Sequence, residues 1–282
     1  MVSGDLTGKL IVPIKRSGKV YETSFLGLKE IARSEAELHL LEKRVADAGY
    51  YPYVADHEEL LETGQDREKV TKIFSELVVE RMRSWIKLAD ERLRGTGVKF
   101  YMMLGNDDDP SIVPILRSSA SVIDPTTGPV WLDDDHEMIS MGAANHTPWE
   151  TIGEHSEEEL REIIKGMMKD VSNLKNLIFN FHCPPYNSSL DICPKLDDQL
   201  RPVRIGSNVL MAPAGSTAVR EAIERYQPLL GVFGHIHESP GEVHIGRTLC
   251  LNPGSEYSQG ILRGYVIDLE GGKVTQYFRT EG

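Results

Sequence analysis

Apolar residues in the first third of the chain recur mainly at helical spacing. Residues 66–94 place them at i, i+3 and i+4, which predicts one long amphipathic helix starting near Asp66. A shorter helix is predicted over 35–48, followed by a break at 50–53 that contains a proline. The stretch from about 28 to 94 is therefore expected to be a helical insertion whose apolar stripe faces a core.

The rest of the chain alternates between strands and helices. Mostly apolar runs at 98–104, 177–181 and 229–233 predict buried strands. Helices are expected after Ser156, where a capping box begins, and over 217–226. Hairpins are predicted at 10–25, 130–140 and 264–278. Parallel crossovers together with antiparallel hairpins indicate an α/β protein with mixed sheets.

The composition is typical of a folded globular protein. Of 282 residues, 40% are hydrophobic, which supplies enough apolar surface for a core and excludes general disorder. No apolar run approaches the roughly 20 residues that cross a bilayer, so no membrane partner is expected. At this length we expect a single domain over residues 1–282 that includes the insertion.

The net charge of −12 argues against extended nucleic acid as a partner, because neutralising its phosphates requires clustered Lys and Arg. A small phosphorylated substrate stays compatible, since a bound metal ion can supply positive charge locally. The cysteines Cys183, Cys193 and Cys250 are odd in number and lack metal-like spacing. This usage is typical of a reducing compartment and predicts a cytoplasmic protein. The oligomeric state stays open.

Candidate chemistry follows the ends of the predicted strands. Four segments carry metal-binding side chains there: Gly4-Asp5, Gly105-Asn106-Asp107, His182 and Gly234-His235-Ile236-His237. Each segment alone is weak evidence for a metal site, because a lone His is more often structural and an Asn-Asp run is usually a turn. The His-x-His pair is stronger, since residues two apart in extended chain point to the same side. Together they form a nitrogen and oxygen ligand set suited to Zn, Mn or Fe.

These segments resemble four of the five signature blocks of the calcineurin-like metallophosphoesterase family, in the family's order. The resemblance implies two mixed β-sheets packed as a sandwich and flanked by helices. It also implies two divalent transition metal ions (Mn, Fe or Zn) and the hydrolysis of phosphate esters by a metal-bound hydroxide.

The resemblance assigns a role to each metal-binding side chain. Asp5 would bridge the two metal ions. Asn106, His182 and His235 would complete the second metal site, and His237 would bind the first.

Asp107 occupies a position that is His in many members of the family, where that His is taken as the general acid or a phosphate contact. We therefore name Asp107 as the candidate catalytic residue. An ionised carboxylate beside a phosphate repels it, which favours phosphodiesters over the more highly charged monoesters. Asp108 is expected to form hydrogen bonds behind the metal ligands.

The first signature block, an Asp-x-His at the end of the first strand, is missing, because only three residues precede Gly4. The Asp-x-His at Asp134-Asp135-His136 lies in a predicted hairpin and is interpreted as a polar turn. The first metal would keep only Asp5 and His237 as ligands, so this form retains a full ligand set for one ion. We hypothesise that the natural polypeptide starts upstream, with the first strand absent here.

Two functions of different classes remain. The first is a metal-dependent phosphoesterase whose 282-residue form has unknown activity. The alternative is a degenerate, catalytically silent protein that binds metal or partners, with residues 28–94 as its docking surface. The four retained ligand blocks favour the enzyme, whereas the incomplete first metal site favours the alternative. The identity of the substrate and of the metal stays open.

Overall fold

Two β-sheets pack face to face at the centre of the structure, a computed structural model that describes residues 1–8 and 10–282. The strands are β1 (Val2–Ser3), β2 (Ile11–Ser17), β3 (Val20–Phe25), β4 (Leu28–Ala32), β5 (Tyr51–Asp56), β6 (Phe100–Met103), β7 (Val122–Ile123), β8 (Val130–Trp131), β9 (Glu137–Met141), β10 (Ala144–Asn145), β11 (Glu154–His155), β12 (Leu177–Phe181), β13 (Ile192–Pro194), β14 (Arg204–Ile205), β15 (Asn208–Val209), β16 (Met211–Pro213), β17 (Leu230–Val232), β18 (Gly241–Ile245), β19 (Thr248–Asn252), β20 (Arg263–Glu270) and β21 (Lys273–Glu281). The helices are α1 (Glu35–Asp47), α2 (His57–Gln65), α3 (Arg67–Leu93), α4 (Val113–Arg117), α5 (Glu157–Met167) and α6 (Thr217–Tyr226).

The large sheet has the strand order β18-β19-β17-β12-β9-β8, and the small sheet has the order β1-β6-β7. The pairs around β12 are parallel, whereas β18 and β8 are antiparallel to their neighbours, so the large sheet is mixed. The pairs in the small sheet are parallel. Parallel strands end at the same edge, which brings the segments that follow them together.

Side chains of β12 alternate between two hydrophobic cores. Ile178 faces the small sheet and packs in one cluster with Tyr101 of β6 and with the C-terminal hairpin, β20–β21. Phe179 and Phe181 face the other way, into the core beneath α5 and α6. The large sheet therefore has a sheet on one face and helices on the other.

Helices α3 and α4 cover the outer face of the small sheet. Val78, Met82 and Ile86 lie on one side of α3 and pack against Met102 and Val122 of the small sheet. The result is a four-layer arrangement of helices, sheet, sheet and helices. The predicted α/β fold, two β-sheets packed as a sandwich and flanked by helices, is confirmed.

The segment from 28 to 94, predicted to be a helical insertion with a break at 50–53, also contains two strands, so that prediction is wrong in detail. Strands β4 and β5 belong to an outer sheet with the order β4-β3-β2-β5. The proline that suggested a helix break, Pro52, lies in β5 at the edge of this sheet, where its missing N–H costs no ladder hydrogen bond. Helix α1 covers one face and forms a separate hydrophobic cluster with it, made of Val12, Ile14, Tyr21, Ala32, Leu38, Leu41 and Val45.

The predicted helices of this segment are confirmed at both positions. Helix α1 follows Ser34, whose hydroxyl accepts a hydrogen bond from the backbone N–H of Glu37. Helix α3 follows Asp66, whose carboxylate accepts two backbone hydrogen bonds in the first turn. The capping box predicted at Ser156 is also present at the start of α5. Among the described residues, no helix has both the length and the apolar content that crossing a membrane requires.

Candidate metal centre

The predicted ligand segments leave the two packed sheets at the same edge. Strand β1 runs parallel to β6, with Ser3 opposite Met103, so the segments 4–5 and 105–106 emerge side by side. Strand β12 runs parallel to β17, so His182 emerges beside the segment 234–237. The backbone N–H of Gly234 donates to the carbonyl of His182 at 2.9 Å and holds the second pair of segments together.

Three predicted ligands form a compact cluster, Asp5, His182 and His235. One ligand atom from each lies within 4.8 Å of those of the other two. Nε2 of His182 lies 3.3 Å from Oδ1 of Asp5, and the two imidazole rings have centroids 5.1 Å apart. A carboxylate and two imidazoles at this separation are suited to hold a divalent transition metal ion.

The backbone of Ser3 fixes the orientation of the His182 ring. Nδ1 of His182 lies 2.7 Å from the carbonyl oxygen of Ser3, and because a carbonyl only accepts, Nδ1 carries the proton. Burial alone would lower the pKa of His182, but the Asp5 carboxylate and the Ser3 carbonyl outweigh it and place the pKa above its ordinary value. The contacts that favour a proton on Nε2 also favour a metal cation there.

His235 has the opposite electrostatic environment. Burial, and after it the neighbouring His182, lowers the pKa of His235 to about 3. Its imidazole is therefore neutral near neutral pH, which is the form that binds metal.

The expectation that His235 and His237 point to the same side assumed extended chain, and the backbone at His235 is not extended. His235 has a φ of 62°, in the left-handed region, so the chain turns between the two residues. The His237 ring packs edge-on against Tyr257 with centroids 5.6 Å apart and is not part of the three-residue cluster. Its role as a ligand of the first metal stays a prediction.

Two glycines allow the ligand segments to approach each other. A Cβ atom at Gly105 would lie 2.4 Å from Oδ1 of Asp5, and one at Gly4 would lie 2.3 Å from Nδ1 of His182. Gly4 also has a φ of 110°, which side chains other than hydrogen rarely allow. Both positions therefore require glycine for the cluster to form.

Asn106 carries an amide oxygen suited to a metal ion. The side chain is buried, and its Nδ2 donates to Oγ1 of Thr151 at 2.7 Å. Its Oδ1 is buried and has no hydrogen-bond partner among residues 1–8 and 10–282. A buried acceptor without a donor is unfavourable by about 1–3 kcal/mol, and a bound cation would satisfy it.

Asp108 joins the Asp5 segment to the Asn106 segment. Its carboxylate accepts hydrogen bonds from the backbone N–H groups of Gly105, Leu6 and Thr7 at 2.8–2.9 Å, and from the Thr7 hydroxyl at 2.8 Å. Burial raises the pKa of Asp108, partly offset by these hydrogen bonds. The hydrogen-bonding role predicted for Asp108 is confirmed.

Two other residues considered in the sequence are Asp107 and His136. Asp107 is half-buried directly after Asn106, and its catalytic role stays a prediction. His136 is buried in its own turn, with Nδ1 2.8 Å from the Asp133 carboxylate, so the polar-turn interpretation of 134–136 is confirmed.

The sequence did not predict that the segment 151–154 contacts the candidate ligand Asn106. Thr151 contacts Asn106, and its hydroxyl donates to the Glu154 carboxylate at 2.9 Å. A Thr followed three residues later by Glu has the spacing of a capping box, but no apolar helical pattern starts there. That spacing is the one feature of the sequence that could have indicated a hydrogen bond between Thr151 and Glu154.

Comparison with known proteins finds a partial relative. MJ1162, an uncharacterized protein of Methanocaldococcus jannaschii, is 31% identical to this chain over 151 residues. The match covers 53% of this chain and 61% of that protein, so the chain spans less than two thirds of the relative's length. No protein-family model matches the chain.

Solved structures resemble the fold at low identity. TT1561 of Thermus thermophilus aligns at 16% identity with a TM-score of 0.42, over 72% of this chain and 79% of that one. The sulfate thiohydrolase SoxB of Thermus thermophilus, solved with glycerol, aligns at 14% identity with a TM-score of 0.34, over 87% of this chain and 41% of that one. Both TM-scores are below 0.5, so no activity follows for this chain from either likeness.

Proposed function

We propose that this chain is a metal-dependent hydrolase of phosphate esters that prefers phosphodiesters. The observation that carries the proposal is the cluster of Asp5, His182 and His235, in which His182 is buried and the other two are half-buried. Beside it, the Oδ1 of Asn106 is buried and has no hydrogen bond among the described residues. The resemblance of the four ligand segments to calcineurin-like metallophosphoesterases supports this chemistry.

The donor set fits one divalent transition metal ion. Asp5, His182, His235 and Asn106 offer two imidazole nitrogens, a carboxylate and an amide oxygen, which suits Mn, Fe or Zn. A second ion would use His237 and further ligands. Such an ion, when bound, lowers the pKa of coordinated water and offsets negative charge on phosphoryl oxygens.

Residues of the chain prepare this site and select the substrate. The Ser3 carbonyl holds the His182 ring through Nδ1. The Asp108 carboxylate accepts hydrogen bonds from the N–H groups of Leu6 and Gly105, and this holds the turn that carries Asp5. Asp107 follows the Asn106 ligand and places a carboxylate on that segment. Because a phosphodiester carries one negative charge and a monoester nearly two, Asp107 repels the diester less.

A cavity of about 440 Å³ borders His237 and has room for one of the ester groups of a small substrate. Its lining is polar and includes Glu238, Ser255, Tyr257 and Arg279. Its size is compatible with part of a small-molecule substrate.

The test combines metal analysis with a diesterase assay. The chain is loaded with Mn²⁺, bound metal is counted by mass spectrometry, and hydrolysis of bis-p-nitrophenyl phosphate is followed. We expect bound Mn²⁺ and turnover in the wild type, both lost in His235→Ala and both retained in His244→Ala, a control histidine exposed on β18. Full turnover by His235→Ala would contradict the proposal.

The alternative is a catalytically silent metal-binding protein with an interaction role. The observation that favours it is that the mutually close ligand cluster contains three residues and does not include His237. Stoichiometric Mn²⁺ without hydrolysis of either diester or monoester substrates would support this alternative over the enzyme.

A further inference from the structure

We propose that Thr151 and Glu154 are positioning residues, which hold the side-chain amide of Asn106 with its oxygen turned toward the metal cluster. This inference rests on the proposed metal site. It concerns a segment, 151–154, that belongs to none of the four ligand segments.

The carboxylate of Glu154 is buried, with 2% of the side chain exposed. It accepts hydrogen bonds from the backbone N–H and the hydroxyl of Thr147, and from the same two groups of Thr151. Burial alone would raise the pKa of Glu154, but these hydrogen bonds outweigh it and keep the pKa below its ordinary value. Glu154 is therefore an ionised group that accepts only.

This carboxylate determines the direction of the hydrogen bonds that follow. The Thr151 hydroxyl has one proton, and it is donated to Glu154 at 2.9 Å. Toward Asn106 the hydroxyl can then only accept, so at 2.7 Å it must face the NH₂ group of the amide. The oxygen of the Asn106 amide is consequently turned away from Thr151.

The reversed amide would be poorly suited to the site. It would direct the NH₂ group, which has no lone pair for a cation, to the position that Oδ1 now occupies. It would also place Oδ1 against the Thr151 oxygen, whose proton is already donated. The chain of hydrogen bonds thus selects the orientation that can bind metal.

Backbone contacts hold the two segments in register. The N–H of Gly153 donates to the backbone carbonyl of Asn106 at 2.9 Å. A Cβ atom at Gly153 would lie 2.6 Å from Cα of Asn106, so the segment packs directly on the ligand. Thr151 is therefore placed by the same loop that contacts the Asn106 backbone.

The test measures the Mn²⁺ dissociation constant by titration calorimetry, with the unfolding temperature of each metal-free variant as a check on folding. Thr151→Val removes the hydroxyl and is expected to weaken Mn²⁺ binding by about 10–100-fold. Thr151→Ser keeps the hydroxyl and should restore wild-type affinity. Thr147→Val is the matched control, because Thr147 donates to the same carboxylate and has no hydrogen bond to Asn106 among the described residues.

A double-mutant cycle separates orientation from packing. In Asn106→Asp both terminal atoms are oxygens, so the orientation no longer matters, and Thr151→Val should then change Mn²⁺ affinity much less than it does in the wild type. An equal loss in both backgrounds would assign Thr151 a packing role and overturn the inference. If Thr151→Val does not fold, Thr151→Ala, which removes the same hydroxyl, takes its place in the cycle.

The outcomes distinguish this inference from the proposed function. A wild-type chain that binds no Mn²⁺ would overturn the proposed function and this inference with it. A wild-type chain that binds Mn²⁺, with Thr151→Val binding equally well, would overturn the inference alone.

Discussion

Replacing Gly105 by alanine should destabilise the protein, because the added methyl group has no room. Its Cβ would lie 2.4 Å from Oδ1 of Asp5, 2.5 Å from the Asp5 backbone nitrogen and 2.9 Å from Nε2 of His182. Contacts below 3.0 Å require movement, and the backbone nitrogen can retreat only if the whole turn moves. That turn is fastened to Gly105 through the Asp108 carboxylate. We expect a loss near the upper end of the overpacking range, about 1–3 kcal/mol.

Gly166→Ala in α5 is the matched control for this substitution. No atom lies within 4 Å of the position where its Cβ would be, so the same change should stabilise the helix by about 0.5–1 kcal/mol. Urea unfolding of the metal-free proteins, followed by circular dichroism, measures both free energies. Mn²⁺ affinity should fall in Gly105→Ala and stay unchanged in Gly166→Ala. Equal unfolding free energies for the two variants would refute the steric reasoning.

Two further predictions concern carboxylates. Burial raises the pKa of Asp124, but hydrogen bonds from Thr126 and Arg117 outweigh it and leave the pKa below the ordinary 3.8. The unfolded chain then binds more protons, so this stabilisation is present above pH 3.8 and is lost as pH falls through the folded pKa. The difference in unfolding free energy between wild type and Asp124→Asn should therefore shrink as pH falls below 3.8, and a difference that stays constant would contradict this. Asp107→His should raise hydrolysis of p-nitrophenyl phosphate relative to the diester by at least about tenfold, whereas an unchanged ratio would show that charge repulsion is not limiting.

The layered fold could be predicted because its buried elements have strong patterns. The segments that form β12 and β17 are apolar except for Asn180 and Gly231, and α3 keeps its apolar spacing over many turns. Strand β4 could not be found in this way, because most of its residues are exposed and no alternation marks it. Strand β5 was not predicted because it contains Pro52. A proline is typical of a break between helices and is equally compatible with an edge strand.

The candidate site was predicted in its residue types and only partly in its geometry. Parallel strands that end in ligand residues were sufficient to bring Asp5, His182 and His235 together. The turn at His235 could not be foreseen, since a left-handed φ at a residue other than glycine leaves no mark in the sequence. The contact of Thr151 with Asn106 joins residues 45 positions apart and depends on tertiary packing.

The outer sheet and α1 have a hydrophobic cluster of their own, whose buried members all come from residues 12–45. Contacts between residues this near in sequence require only short loops to form, so this unit can form early in folding. It can also open on its own without disturbing the core between the two central sheets. Its amide hydrogens should then exchange as one group, at a free energy of opening separate from that of β12. A fold divided in this way can tolerate change at its periphery while the edge that carries the candidate ligands keeps its shape.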